Sequence, residues 1–245
     1  MKKKAQVTIF IIIAIIIVVV IVAFFTLSSS TREHSEEDVN LENPEKLLED
    51  CIELEGVRSL AILGLRGGDI EQKKSINIKN NTISYLFYED GAFLGSLEEI
   101  RSDLETLFSN NVNSCVDNFS YFKDRGYEIK IQRFSPTVSI GEIVFFSVDY
   151  SLTRIKGDNS ILFEGYFDYV VPVNFSKYHR AANNIVLMRE ELGGTVDLFY
   201  LLEQEINVTM SQEEDSLFFL LKDEASMIDE ENVYVFLFAI QTEVE

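Results

Sequence analysis

The sequence predicts an α+β fold: an N-terminal transmembrane helix followed by an extracellular domain of antiparallel sheet packed with helices. Three observations carry this. Ile9–Leu27 is an uncharged run of nineteen residues, two stretches of helical apolar period lie before residue 127, and the period changes to two after it. Helices and strands come in runs, which separates the chain from the strict alternation of a parallel α/β enzyme.

Sixteen of the nineteen residues in Ile9–Leu27 are Ile, Val, Phe or Leu. A helix of that length reaches about 28 Å, enough to cross the hydrocarbon core of a bilayer. Lys2, Lys3 and Lys4 precede it, and one arginine among five acids follows in 28–42. The positive-inside rule then keeps the tail, residues 1–8, cytoplasmic and sends the rest of the chain outward. A cleaved secretory signal is the competing reading, but its apolar region runs to only about 15 residues. Residues 28–43 are polar and read as a stalk, and 44–245 as the extracellular domain, with one boundary offered near 127–135.

Lys3-Lys4-Ala5-Gln6, followed by Val7, Thr8 and the long apolar run, resembles the class III signal peptides of archaeal type IV pilins and archaellins. The resemblance covers about 25 of 245 residues. It implies an archaeal surface protein cut between Ala5 and Gln6 by a prepilin peptidase, with the helix retained. Phe10 stands where that family carries a glutamate, and Ser28–Thr31 and Asn43-Pro44 interrupt what is one long helix in pilins.

Within the domain, Asn43 and Pro44 are N-cap and first-turn residues for a helix reaching Leu65, with a stripe of Leu47, Leu48, Cys51, Ile52, Leu54, Ala61, Ile62 and Leu65. Gly67-Gly68 stops it. Ser75–Ile78 and Thr82–Tyr88 form a hairpin around Lys79-Asn80-Asn81, with Ile83, Tyr85 and Phe87 on one face. Ser96 and Glu99 make a capping box for a helix running to about Gly126. Strands follow at Glu128–Ile131, Val138–Ile140 and Val144–Leu152, and a turn at Lys156–Asn159 returns the chain through Phe163–Val173. Ser176 caps another helix to about Leu192, closed by Gly193-Gly194. A short amphipathic stretch and strands at Ile206–Met210, Leu217–Lys222 and Asn232–Ile240 complete the pattern.

Of 21 basic residues, three precede the apolar run, whereas all 41 acids follow it, so the external part carries 18 against 41, or −23. Such a surface as a whole repels nucleic acid, which is excluded as a partner, and anionic lipid headgroups. It suits a solvated ectodomain facing an envelope partner or an extracellular protein, with the bilayer held through 9–27. Cys51 and Cys115 fall on the apolar faces of the first two helices and are expected to be bonded, since disulfides persist outside the cytoplasm. Asn80, Asn118, Asn174 and Asn207 each open an Asn-x-Ser/Thr glycosylation sequon.

Motifs for catalysis, metals and phosphate are missing: HExxH, CxxC, GxSxG and glycine-rich phosphate loops do not occur. Of two histidines, His34 lies in the stalk, and Asp168 with His179 is the one His–carboxylate pairing worth naming. The acidic runs Glu36–Asp38, Glu213–Asp215 and Asp229–Glu231 lack the oxygen spacing of a calcium loop. The expectation is a non-enzymatic, cofactor-free, single-pass cell-surface protein with a structural or binding role. A pilin-like filament subunit and an ectoenzyme are the alternatives.

Overall fold

The computed structural model describes residues 43–78, 81–89, 91–191, 201, 205–213 and 215–242. The predicted membrane helix, the Ala5–Gln6 site, the stalk up to residue 42, Asn80, Gly193-Gly194 and most of the amphipathic stretch lie outside them. Among the described residues no helix is long and apolar enough to cross a membrane. Residues 42–245 form one unit, which is the α+β domain.

Helix α1 (Pro44–Leu65) starts as expected: Asn43 Oδ1 accepts the Glu45 N–H at 3.1 Å. It ends through Arg66, Gly67 and Gly68, the glycines taking φ of 59° and 84° that side chains resist. Its buried face differs from the hydropathy stripe. Leu54 and Leu65 are 47% and 52% exposed, whereas Gly56, Ser59 and Gly64 are buried. The reason is close approach. A Cβ on Gly56 would sit 3.3 Å from the Phe146 ring, and one on Gly64 would collide with the Val235 carbonyl and come within 2.7 Å of the Tyr234 ring. Small residues, invisible to a hydropathy count, bring the helix onto two strands.

Strands β1 (Ser75–Ile78) and β2 (Asn81–Tyr88) form the predicted antiparallel hairpin, and β3 (Gly91–Ala92) pairs with β2. The expected single apolar face of β2 is replaced by burial on both faces. A register shift between Tyr85 and Phe87 divides the row: Ile83 and Tyr85 join Phe218 and Ala239 in a small cluster, and Leu86 and Phe87 enter the main core.

Helix α2 (Leu97–Cys115) carries the capping box, with Ser96 Oγ accepting from Glu99 N–H and Glu99 Oε2 from Ser96 N–H. It stops eleven residues short of its predicted end near Gly126. Asp117, Asn118 and Phe119 have φ of 42°, 51° and 55°, and a short helix, α3 (Ser120–Lys123), follows the break. Phe119 and Phe122 remain buried, so the apolar spacing survives while Asp-Asn supplies the left-handed turn.

Strands β4 (Glu128–Ile140), β5 (Val144–Lys156) and β6 (Asn159–Val171) make a three-stranded antiparallel ribbon. The two pieces expected before Ile140 are one strand, joined across a register shift between Ile131 and Arg133. Pro136 is accommodated because β4 is an edge strand. Val144, Phe146, Val148, Tyr150 and Leu152 face the core as the alternation requires.

Helix α4 (Phe175–Glu191) is capped by Asn174, whose Oδ1 accepts the Lys177 N–H at 3.1 Å, two residues before the predicted Ser176. Strands β7 (Asn207–Glu213), β8 (Ser216–Met227) and β9 (Val233–Gln241) finish a second sheet in the order β1-β2-β9-β8-β7. Its β2–β9 pair is parallel, against the all-antiparallel expectation. One core joins α1, α2, α4 and the two sheets.

Gly64→Ala is expected to lower stability by about 2–3 kcal/mol, seen as a reduced urea midpoint, because backbone and a fully buried ring must move. Alkali supplies another measurement. Burial pushes the Tyr150, Tyr169, Tyr178 and Tyr234 hydroxyls up, and at Tyr150 the hydrogen bond to Glu45 adds to it. Raised folded values favour the phenol form, so stability is intact below the unfolded value of about 10 and falls as pH rises above it. Tyr234→Phe should soften that alkaline loss. It should also add about 1 kcal/mol at neutral pH by removing a buried hydroxyl with no hydrogen-bond partner.

Candidate functional site

The candidate acid–base pair is not assembled. His179 Nε2, on α4, lies 2.9 Å from the Gly95 carbonyl, and Asp168 Oδ1, on β6, accepts from Ser147 Oγ at 2.6 Å. Among the described residues no hydrogen bond or ion pair joins them, and no group of three or more His, Cys, Asp or Glu side chains is placed to hold a metal. The run Glu36–Asp38 lies outside the described residues, and in the other two an aspartate serves a turn. Asp229 Oδ1 accepts the backbone N–H groups of Glu231 and Asn232, and Asp215 accepts from Ser216 Oγ and Gln241 Nε2. These last two bonds hold the Asp215 carboxyl below its ordinary range.

Cys51 and Cys115 are bonded, with their Cα atoms 5.8 Å apart. The bond ties the second turn of α1 to the last residue of α2 and encloses the β1–β2 hairpin. Closing a loop of 64 residues contributes about 4 kcal/mol on the chain-entropy account.

Three of the four sequon asparagines are described. Asn118 is exposed in the left-handed break after α2, and Asn207 is exposed at the start of edge strand β7. Asn174 is half-buried, and its Oδ1 is engaged in capping α4.

One surface stands out from the electronegative remainder. Residues 123–133 and 151–162 carry six cations (Lys123, Arg125, Lys130, Arg133, Arg154 and Lys156) against three acids (Asp124, Glu128 and Asp158), in a chain whose net charge is −20. They gather at the end of the ribbon formed by the start of β4 and the β5–β6 turn, beside α3. Three of the cations lie on aromatic faces. Arg125 sits 3.4 Å from the Tyr121 ring centre, Lys156 4.2 Å from that of Tyr127, and Arg154 5.3 Å from Tyr127 and 5.7 Å from Phe163. Lys130 and Arg133 pair with Glu128 and Asp149 at 3.3 and 2.7 Å.

Ile131, Ile161 and Leu162 at the same end are 48%, 45% and 56% exposed. By register Ile131 lies opposite the buried Leu152, yet it is exposed because the strands outrun the core there. The signal available in the sequence was the bunching of basic residues, which a net charge averages away. By strand register Ile131 and Ile161 share the core-side face of the ribbon with Arg154, whereas Leu162 and Lys130 lie on the other face, so aliphatic side chains and cations meet at its tip. No protein-family model matches this chain, and no match was found among curated proteins or among solved structures.

Proposed function

We propose that this chain is a single-pass, membrane-anchored cell-surface protein, cytoplasmic at its N-terminus, whose acidic extracellular domain has a structural or binding role. The observation that carries the reading is the Cys51–Cys115 bond, since disulfides persist in oxidising compartments and are rare in the cytoplasm. The uncharged run Ile9–Leu27, the lysines before it and the acids after it supply the anchor and its direction. Exposed sequons at Asn118 and Asn207 agree with an outside location.

A tag placed after Glu245 should be stained on intact cells, the protein should stay in the membrane fraction, and unreduced, unfolded chain should show no free thiol. A tag reached only after permeabilisation would overturn the reading. The resemblance of Lys3-Lys4-Ala5-Gln6 to prepilin sites favours a second one, a pilin-like filament subunit. Mass spectrometry of the native N-terminus should then find Gln6 first and micrographs should show filaments. An intact Met1 terminus removes it.

A further inference from the structure

Helix α1 runs back along β5, with Glu45 at Tyr150 and Gly56 against Phe146, so its N-terminus, where the chain leads back to the apolar segment, points toward the basic, aromatic end of the ribbon. Tyr150, in β5, donates its hydroxyl to Glu45 Oε1 at 2.7 Å, and Glu45 lies in the first turn of α1, two residues after Asn43. From Tyr150 the strand continues six residues to Lys156, about 20 Å at roughly 3.3 Å each. The disulfide brings the C-terminus of α2 to α1 nearby, and the segment after it, through Tyr121 and Tyr127, leads into the start of β4.

We infer that this end of the ribbon docks on the surface of the bilayer that anchors the chain, its cations on anionic headgroups and Ile131, Ile161 and Leu162 at the boundary with the acyl layer. The inference rests on the membrane-anchored reading above. Residues 28–42, between Leu27 and Asn43, span at most about 55 Å when extended. A domain on so short a tether meets the bilayer at high effective concentration, so a weak surface contact suffices. The chemistry fits that occupant. Tyrosines belong at the water–lipid interface, and lysine and arginine are drawn to anionic headgroups. Exposed aliphatics between such residues gain from partial burial in lipid. The acidic flank of a second copy would match the cations, but would leave Ile131, Ile161 and Leu162 against charge.

The test uses the full chain. Both of its cysteines are bonded, so Leu162→Cys supplies one free thiol for a solvatochromic dye. The labelled protein is reconstituted into phosphatidylcholine vesicles with and without phosphatidylglycerol, and vesicle flotation is scored beside dye emission. The expected result is a blue shift in the anionic vesicles only. It should be lost in about 0.5 M salt, where screening leaves a Debye length of a few ångströms. It should be lost also in the exposed-site variant Lys130→Glu/Lys156→Glu. Water-like emission in both vesicle types, with the protein still floating, overturns the inference and leaves the anchor reading standing. A shift that instead grows with protein density on neutral vesicles makes a second copy the occupant and overturns it too. Protein that fails to float with either vesicle refutes the anchor, and this inference with it.

Discussion

The domain is built around the approach of one helix to two sheets. Helix α1 sets Gly56 on the Phe146 ring of the ribbon and Gly64 on Tyr234 and the Val235 carbonyl of β9. The contact at Gly64 exists only because that position carries no Cβ, and a Cβ at Gly56 would press on the Phe146 ring. With the helix seated, Leu48, Ile52, Leu60 and Leu63 are almost wholly removed from water. At roughly 25 cal/mol per Å² of apolar area, that burial is a main source of cohesion between otherwise separate sheets. The disulfide then fixes α2 against the same helix, so both sheets and α2 take their positions from α1.

Polar groups inside this arrangement are paired in places and left alone in others. Lys177 and Asp223 form a largely buried pair at 2.8 Å. Burial disfavours the Asp223 carboxylate, but the Lys177 ammonium and the Ala225 N–H outweigh it and hold the group below its ordinary value. Tyr178 ties the same corner by donating to the Tyr234 carbonyl and accepting from the Asp223 N–H. By contrast the Ser84 hydroxyl and Glu55 Oε2 are buried with no hydrogen-bond partner in the structure. Such groups cost stability and narrow the packings available to their neighbours.

Local signals were legible, and long-range ones were not. Asn43-Pro44, Gly67-Gly68, Ser96–Glu99 and the Gly157 turn each act through a few adjacent backbone groups, and each lies where the residues require. The alternation of β5 was equally plain, because one face meets water. What failed depended on partners far along the chain. Leu54 and Leu65 are exposed because close approach at the glycines turned a different face of α1 inward. Phe87 changed clusters through a bulge, and α2 broke at Asp117–Phe119 although its apolar spacing continued. The candidate surface shows the same division. Its charges could be counted, but only the folded ribbon shows that they share an end with Ile131, Ile161 and Leu162.

The parallel pairing of β2 with β9 has a consequence for the order of events during synthesis. Tyr85 opposes Ala239 and Phe87 opposes Ile240, so a strand made early waits for nearly the last one. Cys51 and Cys115 can meet long before then, cinching the hairpin while one border of β2 still offers open peptide groups to any passing strand. Contacts so distant along the chain slow folding and lengthen exposure to aggregation. Early cross-linking therefore limits the wandering of the half-made sheet until its closing strand arrives.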